Sequence, residues 1–270
     1  MSQNEDQNYN QDQNHHINQP LTVMALSDFH GSLHVLPLLK EKIKEIAPHF
    51  ILFSGDIVKG YARGDEWLAA QEDGRAPRMT DGITAEVRED EKFYTHFFSF
   101  LHALSIPSFA VPGNMDAPEK RFLQFCPPGM SAHRFQKSIY SPPGSSKDLL
   151  ITGFGGELTE IQDEGTYVLQ YSRSTIIDSL DLSTIPDEIF ALITHSPPVS
   201  AVSVEDGQEK GSRVVNDLID ILHPKFLFCG HAHTAQGTDT IGTTHIINPG
   251  ALKYGNYAVI RGDSVEYNRL

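Results

Sequence analysis

Residues 21–31, "LTVMALSDFHG", run from a short apolar stretch straight into Asp28, His30 and Gly31. An apolar run this brief, stopped by polar residues and Gly, predicts a strand of about four to seven residues buried on both faces. The same design returns in "FILFSGD" (50–56), "SFAVPGN" (108–114), "LLITGFGG" (149–156), "FALITHS" (190–196), "FLFCGHAH" (226–233) and "THIINPG" (244–250). Between several of these the period becomes helical. "LHVLPLLKEKIKEI" sets Leu36, Leu39, Ile43 and Ile46 on one stripe, with Pro37 near the first turn. "DEKFYTHFFSFLHAL" does so with Phe93, Phe97, Phe100, Leu101 and Leu104, and "GSRVVNDLIDIL" with Val214, Leu218 and Leu222. Strands alternating with helices predict a layered α/β domain, with a sheet or pair of sheets covered by helices.

The first residues of the sequence and one internal segment stand outside this pattern. Residues 1–20 are half Asn or Gln and contain no Lys or Arg. They cannot bury enough apolar surface to offset the cost of ordering, so disorder is expected there. Residues 61–92 hold nine acids, five bases and little apolar periodicity. They read as a long inserted loop, of the kind that serves as a lid or a binding loop. The remainder, 21–270, reads as one domain.

Bulk properties narrow the function. The net charge is -14 and Lys and Arg form no cluster, which argues against a nucleic-acid partner. No apolar run approaches the length of a membrane span. No basic stretch followed by an apolar core and a cleavage site is visible, so a secretory signal is not expected. Cys126 and Cys229, the two cysteines, make no disulfide scaffold and fit a reducing compartment, which predicts a cytoplasmic protein. The sequence leaves a homo-oligomer open.

Five of the predicted strands end in metal-ligand chemistry. Asp28 and His30 follow the first, Asp56 the second, Asn114 the third, His195 the fifth, and His231 and His233 the sixth. If the strands are parallel, these ends share the sheet edge at which open α/β sheets place ligands. Residues two apart in an extended segment also point the same way. Turn chemistry accounts for Asp and Asn but not for four His. Imidazole and carboxylate together suit Zn, Fe or Mn, and seven donors exceed one tetrahedral ion. They suit two ions that share one ligand.

Taken in order, "DFH", "GD", "GN", "THSPP" and "GHAH" resemble the motifs of the calcineurin-like metallophosphoesterases, across about residues 21–262. The resemblance implies a four-layer α/β sandwich, two central mixed β-sheets flanked by helices, around a dinuclear metal site. It implies Asp28, His30 and His233 on one divalent ion, Asn114, His195 and His231 on the other, and Asp56 as the bridge. It implies hydrolysis of a small phosphorylated substrate by a metal-bridging hydroxide, with manganese, iron or zinc as the metal. "NPG" at Asn248–Gly250 is similar to the family's last motif.

Met115 departs from the resemblance, because many members carry His there. Met neither donates nor accepts a proton. Either the metals suffice, or a proton comes from water, from the 61–92 segment, or from His34, the candidate catalytic acid. Members without that His include phosphodiesterases, so a diester is the expected substrate. A phosphomonoesterase of the same fold and a non-catalytic metal-binding scaffold are the alternatives. Asp116 reads as the cap of a helix beginning near "APEKRFLQF".

Overall fold

Among the described residues, two parallel sets that together hold the seven apolar runs of the sequence frame the molecule. A computed structural model describes residues 20–143, 147–184 and 188–270. The tail predicted to be disordered lies outside the described residues, Pro20 excepted. In chain order the elements are β1 (Thr22–Leu26), α1 (Leu36–Ile46), β2 (Phe50–Phe53), α2 (Tyr61–Glu72), α3 (Asp81–Ala103), β3 (Ser108–Ala110), α4 (Glu119–Phe125), β4 (Ser138–Tyr140) and β5 (Leu149–Phe154). There follow β6 (Glu157–Thr159), β7 (Gln170–Ser172), α5 (Arg173–Asp178), β8 (Ala191–Thr194), β9 (Val204–Glu205), β10 (Gln208–Glu209) and α6 (Arg213–Leu222). The chain closes with β11 (Phe226–Phe228), β12 (Gly237–Ile241), β13 (Thr244–Asn248), β14 (Asn256–Arg261) and β15 (Ser264–Arg269).

Among the described residues these form two large mixed sheets and two small two-stranded ones, β6-β7 and β9-β10. The first runs β15-β14-β1-β2-β3, with β1, β2 and β3 parallel and β14 and β15 antiparallel. The second runs β12-β13-β11-β8-β5-β4, with an inner parallel set bounded by antiparallel β12 and β4. Side-chain alternation then builds three apolar layers. Val23, Ala25, Phe50, Leu52 and Phe109 face Ile151, Ile193, Phe226, Phe228 and Ile247 between the sheets. Met24, Leu26, Ile51 and Phe53 point the other way, onto Leu39 and Ile43 of α1 and Phe97 and Leu101 of α3. Leu150, Leu192, Leu227 and Ile246 cover Val214, Leu218 and Leu222 of α6. The architecture is the four-layer α/β sandwich. Each fully buried Leu, Ile or Phe contributes roughly 1.5–3 kcal/mol.

The 61–92 segment departs from its reading as a loop. It forms α2 and the first half of α3, joined by a connection at 73–80. Its helicity is held by polar contacts instead of an apolar stripe. Thr80 caps α3 by accepting from the Ile83 N–H. Glu86 of α3 accepts from the Ala62 N–H at the start of α2, at 2.8 Å. Arg63, 1% exposed, donates through Nη1 to Asp90 at 2.5 Å and through Nη2 to the Met115 carbonyl at 2.9 Å. Arg121 of α4 meets the same Asp90 carboxylate at 2.8 Å. A buried ion network therefore ties the insert to the segment that carries Asn114.

Removing one partner of such a pair strands the others without compensation. Asp90→Ala is expected to lower unfolding free energy by about 3–5 kcal/mol, read from urea denaturation. A loss under about 1 kcal/mol, typical of a surface pair, would contradict the network.

Candidate metal centre

Parallel pairing brings the carboxyl ends of β1, β2 and β3 beside one another, and those of β8 and β11 likewise. All seven candidate donors gather there, but strand alternation does not place them. β1 stops at Leu26 and β11 at Phe228, before any donor is reached. Asp28, His30, Asp56 and His231 adopt φ of 56°, 45°, 63° and 67°. Left-handed backbone at non-Gly residues is strained and clusters at functional sites. Backbone bonds hold it in place: the Asp28 N–H donates to Gly55 O and the His30 N–H to Asp56 O, each at 2.9 Å.

The donors fall into two sets. In one, Asp28, His30, Asp56 and His233 each offer an atom, all within 4.8 Å of one another. His30 Nε2 lies 3.1 Å from His233 Nε2, and His233 Nε2 lies 3.3 Å from Asp28 Oδ1. In the other, Asn114 Oδ1 lies 2.9 Å from His195 Nε2 and 3.2 Å from His231 Nδ1. Asp56 Oδ2 stands between the sets, 3.5 Å from His30 Nε2 and 3.4 Å from His195 Nε2. Spacing alone suggested that His231 and His233 face one way; the left-handed turn sends them to different sets.

The surroundings fix which atoms face inward. His30 Nδ1 donates to Val58 O at 3.2 Å and His195 Nδ1 to Ser54 O at 2.7 Å. In the neutral rings both Nε2 atoms then carry lone pairs. With its ring neutral, His195 Nε2 would confront Asn114 Oδ1 and Asp56 Oδ2, acceptors meeting acceptors, so the site requires either a proton on this ring or a cation. The Ser27 hydroxyl donates to Asp28 Oδ2 at 2.5 Å, leaving Oδ1 toward His233. Acceptors crowded in this way call for positive charge, a proton or a cation, and this donor chemistry fits two divalent ions.

Titration follows the same logic. Burial alone would lower the His195 pKa, but Asp56, hydrogen-bonded beside it, and Asp28 push it up to about 10. Burial opposes ionisation of Asp56, yet His195 and His30 hold that carboxyl at about 2. Burial lowers His30 to about 4, which keeps its ring neutral at pH 7.

Asp116 plays a larger part than helix capping. Helix α4 starts at Glu119, with Pro118 at its cap. The Asp116 carboxylate accepts from the backbone N–H of Gly113 at 2.7 Å, Asp56 at 3.0 Å and Ile57 at 3.0 Å, and from the Tyr94 hydroxyl at 3.0 Å. It clamps the Asp56 loop to the Asn114 loop. The Met115 N–H donates to Asp56 Oδ1 at 2.8 Å. Any Cβ on Gly113 would overlap the Asp56 carboxylate, so only Gly lets the two loops meet this closely. Asn248 holds the far side, its amide donating to Ala232 O at 3.0 Å between His231 and His233.

His34 is not brought to the cluster. It is exposed in the turn Leu33–Val35, which directs Val35 inward and His34 outward. Cys229 is buried with its Sγ toward Ile247 O, and burial raises its thiol pKa. Met115 docks α2: a Cβ on Gly60 would come within 2.7 Å of the Met115 Cβ, and one on Gly64 within 3.2 Å of its methyl. Lys253, outside every strand-end motif, sets Nζ 3.1 Å from His233 Nδ1. No spacing rule could have marked it.

At neutral pH the metal-free centre holds a proton on His195, and a divalent ion must displace it. Because that pKa is raised, metal affinity should climb as pH rises from about 6 to 9. Mn²⁺ calorimetry in buffers of different ionisation enthalpy should register about one proton released near neutrality. Binding with no proton release would contradict the assignment.

The family model described as metallophosphoesterase, calcineurin superfamily, matches residues 18–270. One solved structure is 27% identical, superposes with a TM-score of 0.77 and aligns over 93% of this chain and 99% of its own. The protein TT1561 of Thermus thermophilus is 19% identical with a TM-score of 0.67, over 93% and 99% of the two chains. A dimetal phosphatase from Danio rerio is 11% identical with a TM-score of 0.55, over 93% and 96%. The latter two likenesses concern the fold alone. No curated protein matches the sequence.

Proposed function

Because the chain belongs to the calcineurin superfamily of metallophosphoesterases, and so hydrolyses phosphoester bonds, we propose that it cleaves a small phosphodiester with two divalent ions held by the seven gathered side chains. Asp28, His30 and His233 would hold one ion, Asn114, His195 and His231 the other, and Asp56 Oδ2 both. The position of that one oxygen, 3.5 Å from His30 Nε2 and 3.4 Å from His195 Nε2, carries the reading. Manganese, iron and zinc all suit the donor set. When bound, such a pair supplies Lewis acidity, lowering the pKa of water and neutralising charge on the phosphoryl oxygens.

The chain's own groups do the rest. Ser54 O and Val58 O keep two imidazoles in the ligating tautomer. The Met115 N–H donates to Asp56 Oδ1, so the carboxylate presents Oδ2 in a fixed direction. Met115 moves no proton, which suits a substrate whose leaving group departs with little help. A cleft beside Asn114 and His231 is lined by Asp65, Glu157 and Glu209 against Lys210. Its negative field supports a diester, with one charge, over a monoester with nearly two. The sparse cysteines support a cytoplasmic setting.

Mn²⁺-loaded protein should hydrolyse bis(p-nitrophenyl) phosphate faster than p-nitrophenyl phosphate. Asp56→Ala should abolish the hydrolysis, since removing the shared ligand separates the two ions. Robust turnover by that variant would discard the shared-carboxylate centre, and a preference for the monoester would assign the alternative substrate class.

A further inference from the structure

Helix α2 is built inside out. It buries Arg63, 1% exposed, and leaves Leu68 62% and Tyr61 47% exposed. Tyr61, Gly64, Asp65 and Leu68 recur at i, i+3, i+4 and i+7, so they share one face. That face and Trp67 line a cleft of 460 Å³ that also touches Asn114, Met115 and His231. The Tyr61 ring lies 5.8 Å from the His30 ring, inclined by 29°. The apolar wall therefore reaches across both donor sets.

We propose that α2 selects the substrate: the cleft takes an uncharged aromatic group carried by the phosphoester, against Trp67, Tyr61 and Leu68, while the phosphoryl group lies beside Asn114 and His231. This rests on the phosphoesterase reading above. The volume is that of a small-molecule site, which commonly combines apolar walls with a few placed polar groups. Asp65, Glu157 and Glu209 outnumber Lys210, so a second phosphate on the organic group is disfavoured. The wall is preorganised. Arg63 is tied to Asp90 and to Met115 O, and Gly60 and Gly64 seat α2 on the Met115 side chain. A wall fixed before binding loses little to ordering. The two departures noted in the sequence, Met in place of His and an insert at 61–92, then form one device: the first seats the second.

Trp67 is the only Trp in the chain, so its fluorescence reads this cleft directly. Mn²⁺-loaded protein is titrated with phenylphosphonate and with methylphosphonate, which share the anionic head and differ in the organic group. Phenylphosphonate should quench Trp67 and bind about tenfold more tightly, the scale of one aromatic pairing. Calorimetry then follows the variants. Trp67→Phe should keep the preference, and Trp67→Ala should reduce it to about threefold or less. Leu68→Glu, at an exposed position that tolerates change, should abolish it. Equal binding of the two phosphonates, or a preference that survives both Trp67→Ala and Leu68→Glu, overturns the inference. If esters are cleaved yet the phosphonates bind alike, the cleft assignment fails and the phosphoesterase reading stands. If no ester is cleaved yet phenylphosphonate is preferred, the phosphoesterase reading fails and the cleft stands.

Discussion

The two oxygens of Asp56 have separate surroundings. Oδ1 accepts the Met115 N–H at 2.8 Å, and Oδ2 is left between the ring nitrogens of His30 and His195. A carboxylate free to rotate would not present one oxygen to both sets. Its direction depends on the Met115 backbone, which is held by Arg63 from α2 and by the Asp116 clamp. The proposed cation pair therefore depends on contacts that never reach it. The same contacts seat α2, so the wall of the cleft and the shared oxygen answer to one set of hydrogen bonds.

The cost of this arrangement is local and the compensation is spread over the fold. Four of the seven donors sit in left-handed backbone, each at a cost of order 1 kcal/mol or more. Acceptors are also pressed together in a buried site, which is costly unless positive charge, a proton on His195 or a cation, lies among them. Three apolar layers carry the opposing free energy, and their parallel strands run directly into the strained loops. Loop-to-loop backbone bonds, such as Asp28 N–H to Gly55 O, keep the strain from relaxing. Positive charge at the centre relieves the acceptor crowding, so metal binding and stability should be linked.

The parallel strands were legible because both of their faces are buried, and continuous apolar runs are the mark of that state. Antiparallel β12, "GTDTI", and β15, "SVEYNR", alternate polar with partly buried positions at sheet edges and carry no such mark. Helix α2 escaped notice for the opposite reason. It turns a charged Arg inward and an apolar face outward, so the usual periodicity is reversed. The seven donors were readable as strand-end residues, although the backbone that aims them was not; φ at Asp28 or His231 is set by neighbouring loops. Asp116 looked like a helix cap because short-range rules see only the following helix, while its partners lie about sixty residues away at Asp56, Ile57 and Val58.

Anomalous diffraction from crystals grown with Mn²⁺ tests the central claim most directly. Two peaks about 3.5–4 Å apart, with Asp56 Oδ2 between them and His195 and His30 on opposite ions, are predicted. A single peak, or two that do not share Asp56, would contradict the account.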